Sequence, residues 1–308
     1  MKKIFIIIIS ILLISFNAYS KVGSNAGYAG SFMRMGLGAR ALGMGNTGVA
    51  CSNNGFASYY NPAALPYLPG RHLSLTYYFL SLDREFHYAG FALPIKPTAG
   101  VSVAWMHAGV SNIQGRTFTG EPDEVYETGE DVIVLSFANS FHRKFSVGLS
   151  FKIFSHSLLD IKGKGLGFDV GLLFKPIDLI VIGLQFKDIS SSYTWNTQDF
   201  FEEKGSNYTE MFPQIIKVGI AVKQSDNLLI AGDVEVSDKE DYRAHFGAEY
   251  FYKELAYIRV GMNSTSPTLG AGLVYGLLGN LDTHLDYCAV FGFVGEGVTH
   301  AFSWEFKF

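Results

Sequence analysis

From Arg71 onward the sequence repeats one pattern: a stretch of about nine or ten residues alternating apolar with small or polar side chains, then a turn. Alternation at period two marks a strand whose two faces meet different surroundings. Between Asn280 and Phe291, Leu281, Leu285, Tyr287, Ala289 and Phe291 share one face, with Thr283 as a polar exception. Asp282, His284, Asp286 and Cys288 share the other. In the same way Val234 and Val236 oppose Asp233 and Glu235, Phe246 and Tyr250 oppose Arg243, His245 and Glu249, and Ile258 and Val260 oppose Arg259. One face of each segment carries charge and the other carries almost none.

About fourteen such segments follow one another, beginning near Arg71, Glu85, Ala99, Asp131, Phe145, Gly165, Leu179, Gln214, Asn227, Asp241, Leu255, Thr268, Asn280 and Gly297. Their connections alternate in length. Pro94 to Thr98, Phe141 to Lys144, Lys175 to Asp178 and Lys223 to Asp226 are tight, whereas Ala108 to Glu130, His156 to Lys164 and Asp188 to Pro213 are long. Tight turns at one rim, longer loops at the other and an even strand count predict an all-β fold, a transmembrane outer-membrane β-barrel of about fourteen antiparallel strands. The alternative is a soluble sandwich or small barrel, with the apolar face turned into a core. Against it, the apolar face is rich in aromatic residues (Tyr77, Trp105, Phe168 and Tyr250 among them), as a membrane-interface girdle requires.

The ends fit export to such a membrane. Met1-Lys2-Lys3, an apolar run from Ile4 to Phe16 and the small residues Ala18 and Ser20 read as a secretory signal over residues 1–20. Lys21 follows the expected cleavage point, so no lipidated cysteine is expected there. The longest later apolar candidate, Gly165 to Phe186, is interrupted by Asp169, Lys175, Pro176 and Asp178, which excludes a transmembrane helix. At the other end Phe302, Trp304, Phe306 and Phe308 alternate with Ser303, Glu305 and Lys307. A last strand ending on phenylalanine resembles the signal read by barrel-assembly machinery in Gram-negative outer membranes. A net charge of -4 without a basic stripe argues against nucleic acid. No spacing of His, Cys or acids suggests a metal, and no cofactor is expected.

The rims differ in charge. Tight turns carry Lys96, Arg143, Lys144, Lys175, Lys223 and Lys253, whereas the long loops carry acids, among them Glu121, Asp123, Glu124, Glu127, Glu130, Glu210 and Asp238. The acidic rim, placed outside, is a solvated face or a divalent-cation bridge to lipopolysaccharide.

Residues 21–70 precede the barrel, 71–308, and show no alternation. They contain GMGNTG, Gly43 to Gly48, which matches a dinucleotide-binding fingerprint. That fingerprint needs a strand before it, a helix after it and an acid about twenty residues on, and the sequence supplies none of them. The glycines need another explanation.

A resemblance supplies one. Gly36-Leu37-Gly38-Ala39-Arg40-Ala41-Leu42-Gly43-Met44-Gly45, then Gly48-Val49-Ala50, then Tyr59-Tyr60-Asn61-Pro62-Ala63-Ala64-Leu65, resembles the N-terminal signature of FadL-like barrels, and within them the PorV/PorQ family. The resemblance implies a fourteen-stranded barrel whose N-terminal segment forms a hatch inside the lumen. Glycine would then let backbone cross close to inward side chains. Arg40 in a lumen needs a carboxylate, and Asp233, Glu235, Glu249, Asp282 or Asp286 could supply it. Asn61-Pro62 reads as the turn delivering the chain to the wall. Cys51 and the inward Cys288 are candidates for a disulfide, with two free thiols as the default.

Two functions follow from the resemblance, the first as the main expectation and the second as its alternative. PorV/PorQ-like barrels are accessories of type IX protein secretion, with secreted proteins or secretion components as partners. FadL-like barrels pass hydrophobic small molecules such as fatty acids across the outer membrane, by hatch movement and a lateral opening. An enzyme is the third reading, resting on Ser303, His284 and Asp286 sharing the lumen face, a coincidence that charged lumens often produce.

Overall fold

The computed structural model describes residues 27–159, 161–197, 205–239, 242–253, 255–278, 281–292 and 297–308. The predicted signal lies outside them, as do Asp199, Glu202, Glu203, Glu240 and Asp241 of the acidic loops. The strands are β1 His72–Phe79, β2 Arg84–Ile95, β3 Ala99–Arg116, β4 Pro122–Phe141, β5 Phe145–Leu158, β6 Ile161–Ile177, β7 Ile180–Ile189, β8 Ser192–Asn196, β9 Asn207–Met211, β10 Ile215–Ser225, β11 Leu228–Ser237, β12 Arg243–Tyr252, β13 Ala256–Asn263, β14 Ser266–Leu278, β15 Leu281–Phe291 and β16 Val298–Lys307. All but β8 and β9 form one closed antiparallel barrel of fourteen strands. It closes where β1 pairs with β16, from His72 against Lys307 to Phe79 against His300. Closure removes the sheet edge, which no bilayer tolerates.

Which way the faces point decides between membrane and soluble barrels. On β10, Ile216, Val218 and Ile220 are 43, 50 and 46 % exposed, while Lys217 between them is 8 % exposed. Apolar residues point outward and charge points into the lumen, the inverse of a soluble barrel. Phe302, Trp304 and Phe308 are exposed on the outer surface, whereas Ser303 and Glu305 are buried. Among the described residues no helix is long and apolar enough to cross a membrane; the strands cross instead.

Three predicted loops are different. Ala108 to Glu130 is the far end of the β3–β4 hairpin, paired through Val110–Thr128, Ile113–Tyr126 and Arg116–Pro122 with two bulges. Neither face of that extension is buried, so its ladder forms without the alternation that marks the wall strands. His156 to Lys164 is a tight β5–β6 hairpin, Leu158 standing opposite Ile161. Asp188 to Pro213 contains the β8–β9 hairpin, whose described residues pair with β6 at Gly163–Trp195 and Lys164–Thr194.

Residues 27–70 fill the lumen as short helical turns: a 3-10 turn Ser31–Arg34, helix α1 Ala39–Gly43, helix α2 Ala57–Tyr60 and a 3-10 turn Pro62–Tyr67. Leu37, Ala39, Val49, Ala57, Ala63 and Leu65 have no exposed surface. Asn61 caps the last turn by accepting from Ala63 N, and Pro62 occupies the first position, where no N–H is missed.

Candidate functional site

The plug is anchored to nearly every part of the wall. From α1, Arg40 reaches Glu249 on β12 with two bonds of 2.8 Å, from Nε to Oε2 and from Nη2 to Oε1. Glu249 Oε2 also accepts from Arg259 Nε at 2.6 Å, and Arg259 Nη1 donates to Asp286 Oδ1 at 2.6 Å. The result is a chain of alternating charge, Arg40–Glu249–Arg259–Asp286, from plug through β12 and β13 to β15. Charge-assisted, bidentate bonds make such a chain tolerable in a dry lumen.

The glycine-rich stretch binds an anion after all, one belonging to its own barrel. Gly48 N and Val49 N donate to Asp233 Oδ2 at 2.7 and 3.1 Å. Gly45 N donates to Thr268 Oγ1 at 3.1 Å, and Thr268 Oγ1 donates to Gly43 O at 3.1 Å. Gly45 has φ 71°, and a Cβ there would run into the Phe246 carbonyl. A Cβ on Gly43 would come within 3.0 Å of the Gly270 Cα on β14. Close backbone approach, not phosphate, requires glycine at these two positions. Met44 is buried, its carbonyl against Gly247 of β12.

The remaining motif residues also have places. Gly38, in a left-handed conformation, caps α1, and Ala39 N donates to Ser303 Oγ at 2.7 Å. Gly36 N donates to Tyr59 Oη at 3.1 Å and its carbonyl accepts from Tyr78 Oη at 2.9 Å. Asn61 Nδ2 bridges Val49 O at 2.9 Å and Leu172 O on β6 at 3.0 Å. Ser146 Oγ donates to Ala63 O at 2.6 Å, beside Pro62.

Of the predicted lumen charges, Asp233, Glu235, His245, Glu249, Arg259 and Asp286 lie against the plug. Lys217 pairs with Glu235 at 2.5 Å, and His245 Nδ1 lies 3.1 Å from Gly45 O. Arg243 stands opposite Glu235 in the β11–β12 register. Asp282 is instead a rim residue, 54 % exposed at its side chain and 3.9 Å from Lys307. His284 stacks on Tyr257 rather than joining the charge chain.

Two minority readings are not met. Cys51 and Cys288 are free thiols, the default expectation, and not the candidate disulfide. Cys51 borders an apolar group around Met44, Ala50, Ala221 and Ala231, whereas Cys288 packs in a separate cluster with Ala39, Tyr78 and Ala301. Burial, with the Asp233 carboxylate adding to it, pushes the Cys51 thiol up to about 12. Nor do Ser303, His284 and Asp286 assemble: Ser303 serves Ala39 N and Thr76, Asp286 serves Arg259, and His284 faces Tyr257. Among the described residues no group of three His, Cys, Asp or Glu is arranged to hold a metal ion.

The sequence reading missed a second buried network. Lys152 on β5 donates to Asp169 on β6 at 2.6 Å and to Asp188 on β7 at 2.7 Å, and all three are almost wholly buried. Inward charges set among glycines and serines on β5 and β6 were the available signal. Also missed was Glu305, which accepts from Gly55 N at 2.8 Å and lies 3.2 Å from His72 Nδ1.

Toward the rim away from the barrel's two ends, Phe32 of the plug packs with Phe154, Tyr193, Phe212, Tyr78, Phe86 and Met106 in a buried, largely aromatic cluster. Below the plug lie two clefts. One of about 210 Å³ is polar, between Arg40, His72, Tyr257, His284 and Lys307. The other, about 150 Å³, lies beside Cys51, Tyr67, Lys175 and Lys223. A small internal cavity borders Met33, Tyr59, Tyr88, Ala104 and Met106, and a groove on the outer surface borders Leu73, Phe91, Val103, Ala104 and Trp105. Ala104 borders both, at the position where it pairs with Gly90.

No protein-family model matches the sequence, and no curated protein matches it. Solved structures do. The toluene transporter TbuX of Ralstonia pickettii superposes with a TM-score of 0.61 at 16 % identity, over 89 % of this chain and 98 % of that one. The toluene transporter TodX of Pseudomonas putida gives 0.61 at 14 % identity, over 88 % and 96 %. A FadL homologue of Pseudomonas aeruginosa gives 0.61 at 12 % identity, over 88 % and 98 %. At these identities the likeness is one of fold, and the protein is by fold a FadL-like, plugged, fourteen-stranded outer-membrane barrel.

Proposed function

We propose that the protein is a passive conduit for small hydrophobic molecules across the outer membrane of a Gram-negative bacterium. The observation that carries this reading is a buried aromatic cluster in the lumen that reaches Ala104, a wall residue bordered by a small inner cavity and by an outer groove. An apolar solute would leave water on entering this cluster, gaining about 25 cal/mol for each Å² buried. Met33 and Tyr59 of the plug line the small cavity beside Ala104 and leave no open passage there, so the plug must shift for the solute to pass. The plug moves as one body in this account, because Tyr59 Oη ties to Met33 O and Gly36 N and Tyr60 Oη to Leu37 O. Similarity in fold to toluene transporters and a FadL homologue supports the same reading.

The test is uptake of radiolabelled toluene and of a long-chain fatty acid by cells producing the protein, against cells carrying an empty vector. Uptake of either at several times the vector rate is expected. Vector-level uptake of both, with the folded barrel present, would overturn the reading. The secretion reading rests on the GLGARALGMG and YYNPAAL stretches alone. Its test is affinity capture from native outer membranes, where recovery of secreted proteins sharing a C-terminal domain would favour it.

A further inference from the structure

The wall is irregular at one place that touches the plug. In the β6–β7 ladder, Val170 stands opposite Phe186 but Phe168 stands opposite Ile189, so β7 carries an extra residue at Lys187–Asp188. Asp188 and Ser190 are left-handed, with φ 60° and 54°. Such bulges bend a strand and re-aim its side chains. Here the bend turns β7 into β8, and the chain returns through β9 and Phe212 to β10.

The same bend holds the plug. Lys187 Nζ donates to Met33 O at 2.7 Å and sits 3.8 Å over the Tyr59 ring. Lys187 is 2 % exposed, and among the described residues no carboxylate lies within ion-pair distance of it. A lysine buried on a plug carbonyl and a plug ring depends on that position, because leaving it means an unsatisfied buried charge. Within the bend, Asp188 is locked by Lys152, and Phe212 N donates to Ser191 O at 2.9 Å. The Phe212 ring rests on Gly30, at a place where a Cβ on Gly30 would overlap it. The described part of the hairpin is held to the wall by two ladder positions on β6, a Tyr193 Oη–Glu130 bond of 2.8 Å, and the packing of Tyr193 on Phe154 and of Trp195 on His156 of β5.

We propose that the bend at Lys187–Ser191 is a latch, coupling the seating of the β8–β9 hairpin to retention of the plug through Lys187–Met33 and Phe212–Gly30. When the hairpin tilts off β6, Phe212 withdraws from Gly30, the bend straightens and Lys187 leaves Met33. This rests on the plugged-conduit reading, but its test does not require a transported solute.

The experiment is single-channel recording of the purified full chain in planar lipid bilayers, where plug release appears as bursts of ionic current. Lys164 and Thr194 face each other across β6 and β8, both exposed. In a background with Cys51→Ala and Cys288→Ala, the pair Lys164→Cys and Thr194→Cys should cross-link the hairpin to the wall. Bursts should then be at least tenfold rarer in the oxidised than in the reduced form. Equal burst frequency in both forms would overturn the latch. Lys187→Met should raise burst frequency above wild type, and unchanged frequency in a folded Lys187→Met barrel would also count against it. Heat-modified gel mobility shows whether that variant folds, and the cross-linking arm decides if it does not. Should the wild type take up neither toluene nor fatty acid, the conduit reading fails, while the recordings still decide the latch.

Discussion

Arg40 in the plug and Glu249 in the wall share two bonds of 2.8 Å, and Glu249 simultaneously holds Arg259 at 2.6 Å. One carboxylate thus serves two guanidinium groups. Removing the carboxylate and removing one cation should therefore have unequal effects. Glu249→Gln leaves two buried cations short of charge and should destabilise the barrel by about 3–5 kcal/mol. Arg40→Leu leaves the Glu249–Arg259 pair intact and should cost clearly less. Urea midpoints of the refolded barrel in detergent measure both, and equal losses would contradict the shared-carboxylate arrangement.

Gly45 is left-handed and lies against the Phe246 carbonyl. Gly45→Val adds about 1–3 kcal/mol of backbone strain to a direct overlap with the wall. The expected outcome is impaired assembly or a lowered transition temperature by heat-modified gel mobility. Wild-type heat stability would show that the segment does not pack there.

Much of this was readable in advance, and the exceptions have physical reasons. Alternation located the wall strands because their two faces face lipid and a charged lumen. It failed over Ala108 to Glu130, where the β3–β4 ladder continues with neither face buried. GMGNTG was readable as not a nucleotide site, since its strand, helix and acid are missing. That Asp233 would be the anion held by Gly48 and Val49 was not readable, because register across about 185 residues is not written in local pattern. Arg40's need for a carboxylate followed from its expected place in a lumen. The choice of Glu249 over Asp282 depended on depth, since Asp282 lies at the rim.

Cys51 and Cys288 are free, and the partly buried Cys51 thiol is shifted up to about 12, so little thiolate forms at neutral pH. The folded protein should migrate identically on gels with and without reductant. Maleimide should label both residues only after denaturation. A reductant-dependent mobility shift would show a bond that the fold does not hold.

At Ala104 the wall separates the inner cavity from the outer groove. Ala104→Leu more than fills the small cavity and should lower toluene uptake severalfold for each folded barrel, the folded amount being read by heat-modified gel mobility. Unchanged uptake would move the exit elsewhere on the wall.

The central claim is that a resting plug must shift for a solute to pass. Ala39 N lies 2.7 Å from Ser303 Oγ, which offers a tether between plug and β16. In the background lacking native cysteines, Ala39→Cys with Ser303→Cys should bond under oxidation. Toluene uptake by cells carrying this variant should fall to the vector rate when oxidised and recover severalfold after reductant. Equal uptake in the two states, with the cross-link shown to be present, would contradict the account.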